Sequence, residues 1–312
     1  MDPLEATETL QRATAFLCAH QDDDGAWRDF VMPPGRSDSW VTAYVGRALQ
    51  RIDDQIEDGT LADRIDRAAM WLVEHTEPDG GWSYRAGHVP SDADSTTHVL
   101  AFLSASGRGA IAGYQRLLRF QFTDGSFCTY DPSPEVGTWG CSHPCVTPAA
   151  AHALLDVVAP DHRCVRSALD WIDNDGRDQL WQSYWWTTPW YACALALEAL
   201  VRGGRTIDRD VIRARLAALG EPRCVFDEAM AVRCYAALGD DEAVACGRAR
   251  LCAAQSPDGS WPVVPMLRIV DRSLERPWLE TGDAGPIVVD DRRLFTTATV
   301  IHALALTGKP AS

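Results

Sequence analysis

Apolar residues recur at helical spacing in twelve stretches of this chain, with polar turns between them. The pattern predicts helices over 4–20, 38–51, 62–76, 92–106, 109–122, 145–158, 161–174, 188–203, 208–220, 225–238, 240–255 and 294–308. They alternate in character. Odd-numbered helices are amphipathic and charged on one face (LADRIDRAAMWLVEH), whereas even-numbered ones are rich in Ala, Leu, Thr and Val (VTPAAAHALLDVV, TTPWYACALALEAL, FTTATVIHALALTG). An amphipathic helix needs water on one side, and a helix apolar all round needs protein on every side. An inner ring wrapped by an outer ring satisfies both. The expected fold is all-α, an (α/α)6 toroid of six helical hairpins, in one domain over 1–312 with a lid-like loop at about 256–293. That loop carries two β-like runs, VVPMLRIV and PIVVDD.

Four helix ends share one turn: Phe16 to Trp27 (FLCAHQDDDGAW), Trp71 to Trp82 (WLVEHTEPDGGW), Arg116 to Phe127 (RLLRFQFTDGSF) and Arg250 to Trp261 (RLCAAQSPDGSW). A fourth-hairpin version, degraded, ends at Trp181. The repeat fixes the architecture. Gly25, Gly81, Gly125 and Gly259 are expected at positive φ after the outer helix stops. Trp27, Trp82, Phe127 and Trp261 are expected to be packing residues. Because these turns all lead from an outer to an inner helix, every inner-helix N-terminus gathers at one mouth, with its free N–H groups. Asp38 to Trp40, Asp92 to Ser95, Trp139 to Cys145, Tyr184 to Trp190, Asp227, Glu228 and Asp290 to Phe295 fall there.

Composition narrows the functions. The 312 residues are 46% hydrophobic, with a net charge of −15, which argues against nucleic acid or anionic lipid as partner. The acidic start, MDPLEATETLQRATAFL, is no secretory leader, and no run is long enough to span a membrane. Ten cysteines without a leader read as reduced thiols of a cytoplasmic protein. A single lysine, Lys309, among 29 basic residues is the usage of a high-GC bacterial genome.

The turn Phe/Trp-Leu-x3-Gln-x3-Gly-x-Trp resembles the QW repeat of squalene–hopene and oxidosqualene cyclases, and the repeats cover nearly the whole chain. Class II terpene cyclases of that superfamily carry D-x-D-D followed by Thr at the start of an inner helix. Asp92-Ala93-Asp94-Ser95-Thr96 matches it in place, with Ser95 in the last acidic position. It is closest to the D-x-D-T-T form of drimenyl-diphosphate-type cyclases. The resemblance implies a protonation-initiated cyclase, of isomerase or lyase type, in isoprenoid secondary metabolism. Asp94 is its proton donor. The substrate is a linear isoprenoid, a farnesyl-type diphosphate or a prenylated small molecule, with Mg²⁺ if a diphosphate is present. Such cyclases usually have a second barrel, so a lid, a partner or a second copy is expected to close the mouth.

The residues speak separately to this chemistry. Burial and a neighbouring carboxylate raise an Asp pKa, while a helix N-terminus lowers it, and Asp92 and Asp94 sit where these effects compete. Ser95 and Thr96 are placed to hydrogen-bond a carboxyl group, and His143 to hydrogen-bond in the pocket or reload a proton, with plain loop structure as its alternative. The bland alternative is an N-cap with acidic residues in the first turn. Carbocations need aromatic faces, each contributing about 0.5–2 kcal/mol. The densest cluster, Gln182 to Tyr191, holds Tyr184, Trp185, Trp186, Trp190 and Tyr191, with Trp40, Tyr44, Trp139 and Phe295 at matching heights. Arg85, Arg292 and Arg293 are candidates for an anionic head group.

Cys141, His143 and Cys145 form at most a weak zinc half-site, and no metal is expected. His98, His152 and His302, on apolar helices, read as satisfied core histidines. Asp53-Asp54-Gln55-Ile56-Glu57 mimics a magnesium motif but reads as a solvated acidic turn. Two other functions compete: a zinc-dependent prenyl- or peptide-modifying enzyme on the same toroid, and a non-catalytic binding toroid of the complement type. The latter is weakened by the absence of a GCGEQ-like segment.

Overall fold

The computed structural model describes residues 3–54, 56, 59 and 61–306. Among these described residues twelve α-helices form: α1 (Pro3–Ala19), α2 (Ser39–Gln50), α3 (Leu61–Glu74), α4 (Ala93–Ala105), α5 (Ile111–Arg119), α6 (Val146–Leu155), α7 (Arg163–Asp175), α8 (Trp190–Arg202), α9 (Arg209–Ala217), α10 (Val225–Ala237), α11 (Asp241–Ala253) and α12 (Leu294–Leu304). Acidic caps start several of them, as at Asp38, Asp92, Asp208 and Asp240, whose carboxylates accept backbone N–H groups. The even-numbered helices contact one another in sequence and α12 returns to α2, so the inner ring closes.

One refinement concerns pairing. Helices α3, α5, α7 and α11 pack most closely on the inner helix before them, and α1 packs on α12. Short connectors such as 106–110 and 238–240 make the tight hairpins run from inner to outer helix. The longer outer-to-inner connectors are left at the mouth. Two β-hairpins lie there: β1 (Asp29–Met32) with β2 (Gly35–Ser37), and β3 (Pro265–Arg268) with β4 (Ile287–Val289). The second matches the two β-like runs of the last loop.

The repeated turn is a stitch between neighbouring outer helices. Gln21 Nε2 donates to the carbonyls of Gly25 (2.8 Å) and of Arg64 on the next outer helix (2.9 Å). Gln121 repeats this on Cys164, and Gln255 on Thr9. Trp27, Trp82 and Trp261 donate their indole N–H ten residues back, to Leu17, Leu72 and Leu251. Trp181 donates nine residues back, to Ile172. Positive φ occurs at Gly25, Gly125 and Gly259 as expected, but in the second copy at Gly80 rather than Gly81. Gly80 holds the equivalent register, four residues after Thr76. At Gly125 a Cβ would come within 2.1 Å of the Ser167 carbonyl on the next outer helix, so no larger residue fits.

In the acidic turn Asp53 and Asp54 are exposed, while Gln55 and Glu57 lie outside the described residues.

Candidate active site

At the mouth, Met32, Trp40, Tyr84, Asp92, Asp94, Ser95, Thr129, Tyr130, Trp185, Trp186, Tyr191, Leu267 and Ile269 line a largely apolar cavity with about 520 Å³ of atom-free space, part of it open to solvent. Asp92 caps α4. Its Oδ1 accepts from Ser95 N (2.7 Å) and its Oδ2 from Ser95 Oγ (2.8 Å). Asp94, in the first turn, lines the cavity, and among the described residues no hydrogen bond reaches its carboxyl group. Asp94 is partly exposed, and it borders the cavity.

The two carboxyls titrate apart. Burial raises Asp92 to about 6, opposed by the Ser95 bonds to its anion. Burial and the Asp92 charge push Asp94 to about 8. At neutral pH the pair therefore holds one proton, on Asp94. Ser95, the departure from a third acidic residue, explains the split, because both of its donors serve Asp92. Thr96 does not touch either carboxyl. Its Oγ1 accepts from Trp82 N (3.0 Å) and donates to Trp82 O (3.2 Å), as Thr42 does with Trp27. Thr96 is thus a residue of the repeat, which corrects the expectation from the motif.

Of the expected aromatics, Trp40, Trp185 and Trp186 line the cavity. Phe295 lies beneath them, 4.8 Å from Trp40 and 5.3 Å from Trp186 between ring centroids, and Tyr44 stacks on Phe295 at 4.0 Å. Trp139 stands behind Trp185 and donates to Val270 O (2.8 Å). Trp190 packs outward on Tyr235. Tyr184 stacks on His143 and bonds Thr138. Tyr191, the last residue of the aromatic stretch, lines the cavity too. Sequence reasoning left Met32, Tyr84, Thr129, Tyr130, Leu267 and Ile269 out of the site. They come from β1, β3 and connectors, where no helical period constrains a side chain.

His143 is not at the cavity surface. Nε2 meets Thr138 O (2.9 Å), which makes that nitrogen the donor. Nδ1 then accepts from Thr129 Oγ1 (2.8 Å), and Thr129 in turn accepts the Trp185 indole N–H (2.8 Å). Burial drives the imidazole down to about 3, so it is neutral. It positions a wall of the cavity rather than reloading a proton. With both nitrogens engaged, Cys145 buried and its thiol pushed to about 12, and Cys141 exposed, these three residues do not form a metal site. No group of three His, Cys, Asp or Glu converges for a metal among the described residues.

The arginine expectations also need correction. Arg292 binds Asp22 and the carbonyls of His20 and Arg28. Arg293 binds Asp258 and Ser260 while lying over Phe16. Arg85 donates to Pro34 O. None lines the cavity. Each is drawn to a loop carbonyl or carboxylate nearby, a competition invisible in sequence.

The segment 256–293 crosses the mouth. Leu267 and Ile269 form part of the cavity wall, and Thr187 N to Met266 O (2.9 Å) and Arg268 N to Trp185 O (2.7 Å) tie it to the aromatic loop.

Comparison with known proteins bears on the fold. The A-macroglobulin TED domain family matches residues 4–106, about the first third of the chain. No curated protein matches the sequence. Among solved structures, the type II terpene cyclase MstE from Scytonema superposes with a TM-score of 0.82 at 26% identity, covering 98% of each chain. A variant of that cyclase binds geranylgeranyl dihydroxybenzoate, its substrate. A protein from Actinoplanes matches at TM-score 0.77 and 29% identity, covering 96% of this chain and 98% of its own. Half of ent-copalyl diphosphate synthase from Streptomyces platensis aligns with 86% of this chain at TM-score 0.60 and 20% identity, a likeness of fold. The chain is type II terpene cyclase-like over nearly its whole length. No helix among the described residues is long and apolar enough to cross a membrane.

Proposed function

We propose that the protein is a protonation-initiated cyclase of a linear prenyl chain carried on a small molecule, working as one domain with segment 256–293 as its lid. The observation that carries this is Asp94: a carboxylic acid kept protonated at neutral pH, unbonded, facing a cavity walled by aromatic rings. An alkene is a poor base, so its proton donor must be protonated, close and free of competing acceptors. Asp94 Oδ–H transfers its proton to one alkene carbon and becomes a carboxylate. The cation left on the other carbon is attacked by the next double bond, which forms the ring C–C bond. Loss of a proton from the final cation completes an isomerisation, and solvent at the mouth restores Asp94. Trp40, Trp185, Trp186 and Tyr191 offer ring faces to the travelling charge, each worth about 0.5–2 kcal/mol. Asp92, held anionic by Ser95, keeps the proton on its neighbour.

A prenylated small molecule is preferred over a free diphosphate because the three mouth arginines are engaged elsewhere, and MstE acts on a prenylated benzoate. The test is incubation of the native chain and its Asp94→Asn form with C15 and C20 prenyl diphosphates and prenylated hydroxybenzoates, followed by product analysis. Cyclic product from the native chain alone is expected. Equal product from both forms refutes Asp94 as donor. The A-macroglobulin match leaves the binding-toroid reading as the alternative, which requires that no substrate be converted.

A further inference from the structure

We propose that Phe295 is the end stop of the mouth cavity and limits its occupant to a three-unit (C15) prenyl chain; the nature of the ligand rests on the cyclase reading. The axis-facing stripe of the inner helices changes character at one level. On α2 it runs Trp40, Tyr44, Arg47, on α8 Tyr191, Leu195, Glu198, and on α12 Phe295, Thr299, His302, each spaced i, i+4, i+7. Trp40 and Tyr191 line the mouth cavity. Tyr44, Arg47, Leu195, Glu198 and His302 line a second cavity deeper along the axis, with about 600 Å³ of atom-free space. Phe295 lines neither. It is fully buried, with Trp40 and Trp186 on its mouth side and Tyr44 stacked on its other side. Tyr44 is fixed in turn by its hydroxyl, 3.0 Å from Thr299 Oγ1. Beside this stack, Tyr191 OH meets His98 Nε2 at 3.4 Å, so a single ring layer divides the two cavities.

The layer stops an apolar chain twice, by its bulk and by what lies behind it. The second cavity holds the Arg233–Glu198 pair, joined by two 2.7 Å bonds, together with three imidazoles. His152 Nε2 meets Leu195 O at 3.1 Å. His302 was expected to be a satisfied core histidine, yet its Nε2 is buried without a hydrogen bond. A prenyl tail pushed among these groups would cover charged and polar atoms with hydrocarbon, which is unfavourable. The apolar chain therefore ends at the rings.

The space on the mouth side sets the length. At the packing density of a protein interior, a five-carbon unit takes about 110 Å³ and a hydroxybenzoate-sized head about 150 Å³. Three units with their head then fill about 480 Å³, and four about 590 Å³. The mouth cavity offers about 520 Å³, an upper bound because part of it is open to solvent. A C15 chain fits within it and a C20 chain does not.

Calorimetric titration of the full chain with geranyl, farnesyl and geranylgeranyl hydroxybenzoates (C10, C15 and C20) reads this length without needing turnover. The farnesyl compound is expected to bind at least tenfold tighter than either neighbour, since the shorter chain buries less apolar surface and the longer one meets the rings. In Phe295→Ala and Phe295→Leu the ratio of geranylgeranyl to farnesyl affinity should rise tenfold or more, because the tail gains the space of the missing ring. The leucine form keeps much of the apolar contact and carries the test if the alanine form fails to fold. A native preference for the geranylgeranyl compound, an unchanged ratio in a variant with native circular dichroism, or no binding of any of the three overturns the proposal. Product analysis on the same samples separates it from the cyclase reading. The expected binding profile without cyclic product would refute the cyclase and leave Phe295 as the stop.

Discussion

Two pairs of buried aspartates stand at inner-helix N-termini, and both titrate high. Asp92 and Asp94 begin α4. Asp29 and Asp290 gather at the start of α12, where burial raises Asp29 to about 6, and burial with the Asp29 charge raises Asp290 to about 7. The hydrogen bonds separate them. Asp29 accepts from the backbone of Phe30, Arg292 and Leu294, and Asp290 from Val264 and Thr296. These two hold β1, the last loop and α12 together. Asp94 holds nothing. A raised pKa therefore marks a buried carboxyl of either kind. A carboxyl that faces an apolar cavity without a partner is the one free to give its proton away.

The comparison breaks most sharply at Asp94. Asp94→Asn is expected to lower turnover by at least about 10²–10⁴-fold, the usual share of a general acid. Its melting temperature at pH 7 should not fall. Product formation and thermal melting on the same sample check both, and a loss of melting without loss of rate would reverse the assignment of the pairs.

Asp29→Ala should show the mirror image. It strands several backbone donors and is expected to cost roughly 3 kcal/mol of stability. Denaturant unfolding measures that, and the rate per folded molecule should stay within a few-fold of native.

The pH dependence sharpens the contrast. Native Asp94 keeps a proton up to about pH 8, whereas the unfolded chain releases it near 3.8. The native state binds more protons between these values, so this group's stability, full below about pH 4, declines as pH rises to about 8. Turnover should fall through the same upper limb. Asp94→Asn should remove that slope from the stability curve, leaving it more stable than native at pH 8 and equal at pH 4.

Smaller effects should follow at the neighbouring hydroxyls. Ser95→Ala removes a bond to Asp92 alone, so turnover should drop less than about tenfold, with the upper limb still near pH 8. Thr96→Val should cost about 1 kcal/mol in melting and leave the pH–rate profile untouched.

Much of this was legible in the sequence. Helical periodicity located all twelve helices and assigned them to two rings, and the repeated turn gave their common orientation. Asp92 and Asp94 were visible because they match the acid motif at the start of the second inner helix; the residues alone read equally well as a cap with an acidic first turn. What stayed hidden depends on loop contacts. Arg292 and Arg293 lie at the mouth in sequence, yet neighbouring carboxylates turn them away from it. Tyr84 and Tyr130 reach the cavity from connectors where no period constrains a side chain. Thr96 read as part of the acid motif because motif and repeat overlap there, and only its bonds to Trp82 separate the two.

The main-chain ties between segment 256–293 and the aromatic loop bear on timing. Met266 and Arg268 are bonded to Thr187 and Trp185, and Trp139 to Val270. Any motion that lifts Leu267 and Ile269 off the mouth must break these bonds or carry Trp185 and Trp186 along. On the proposed function, admission of a substrate and assembly of the rings around it would be a single event. In an open molecule a cation formed beside Asp94 would then meet water before the rings.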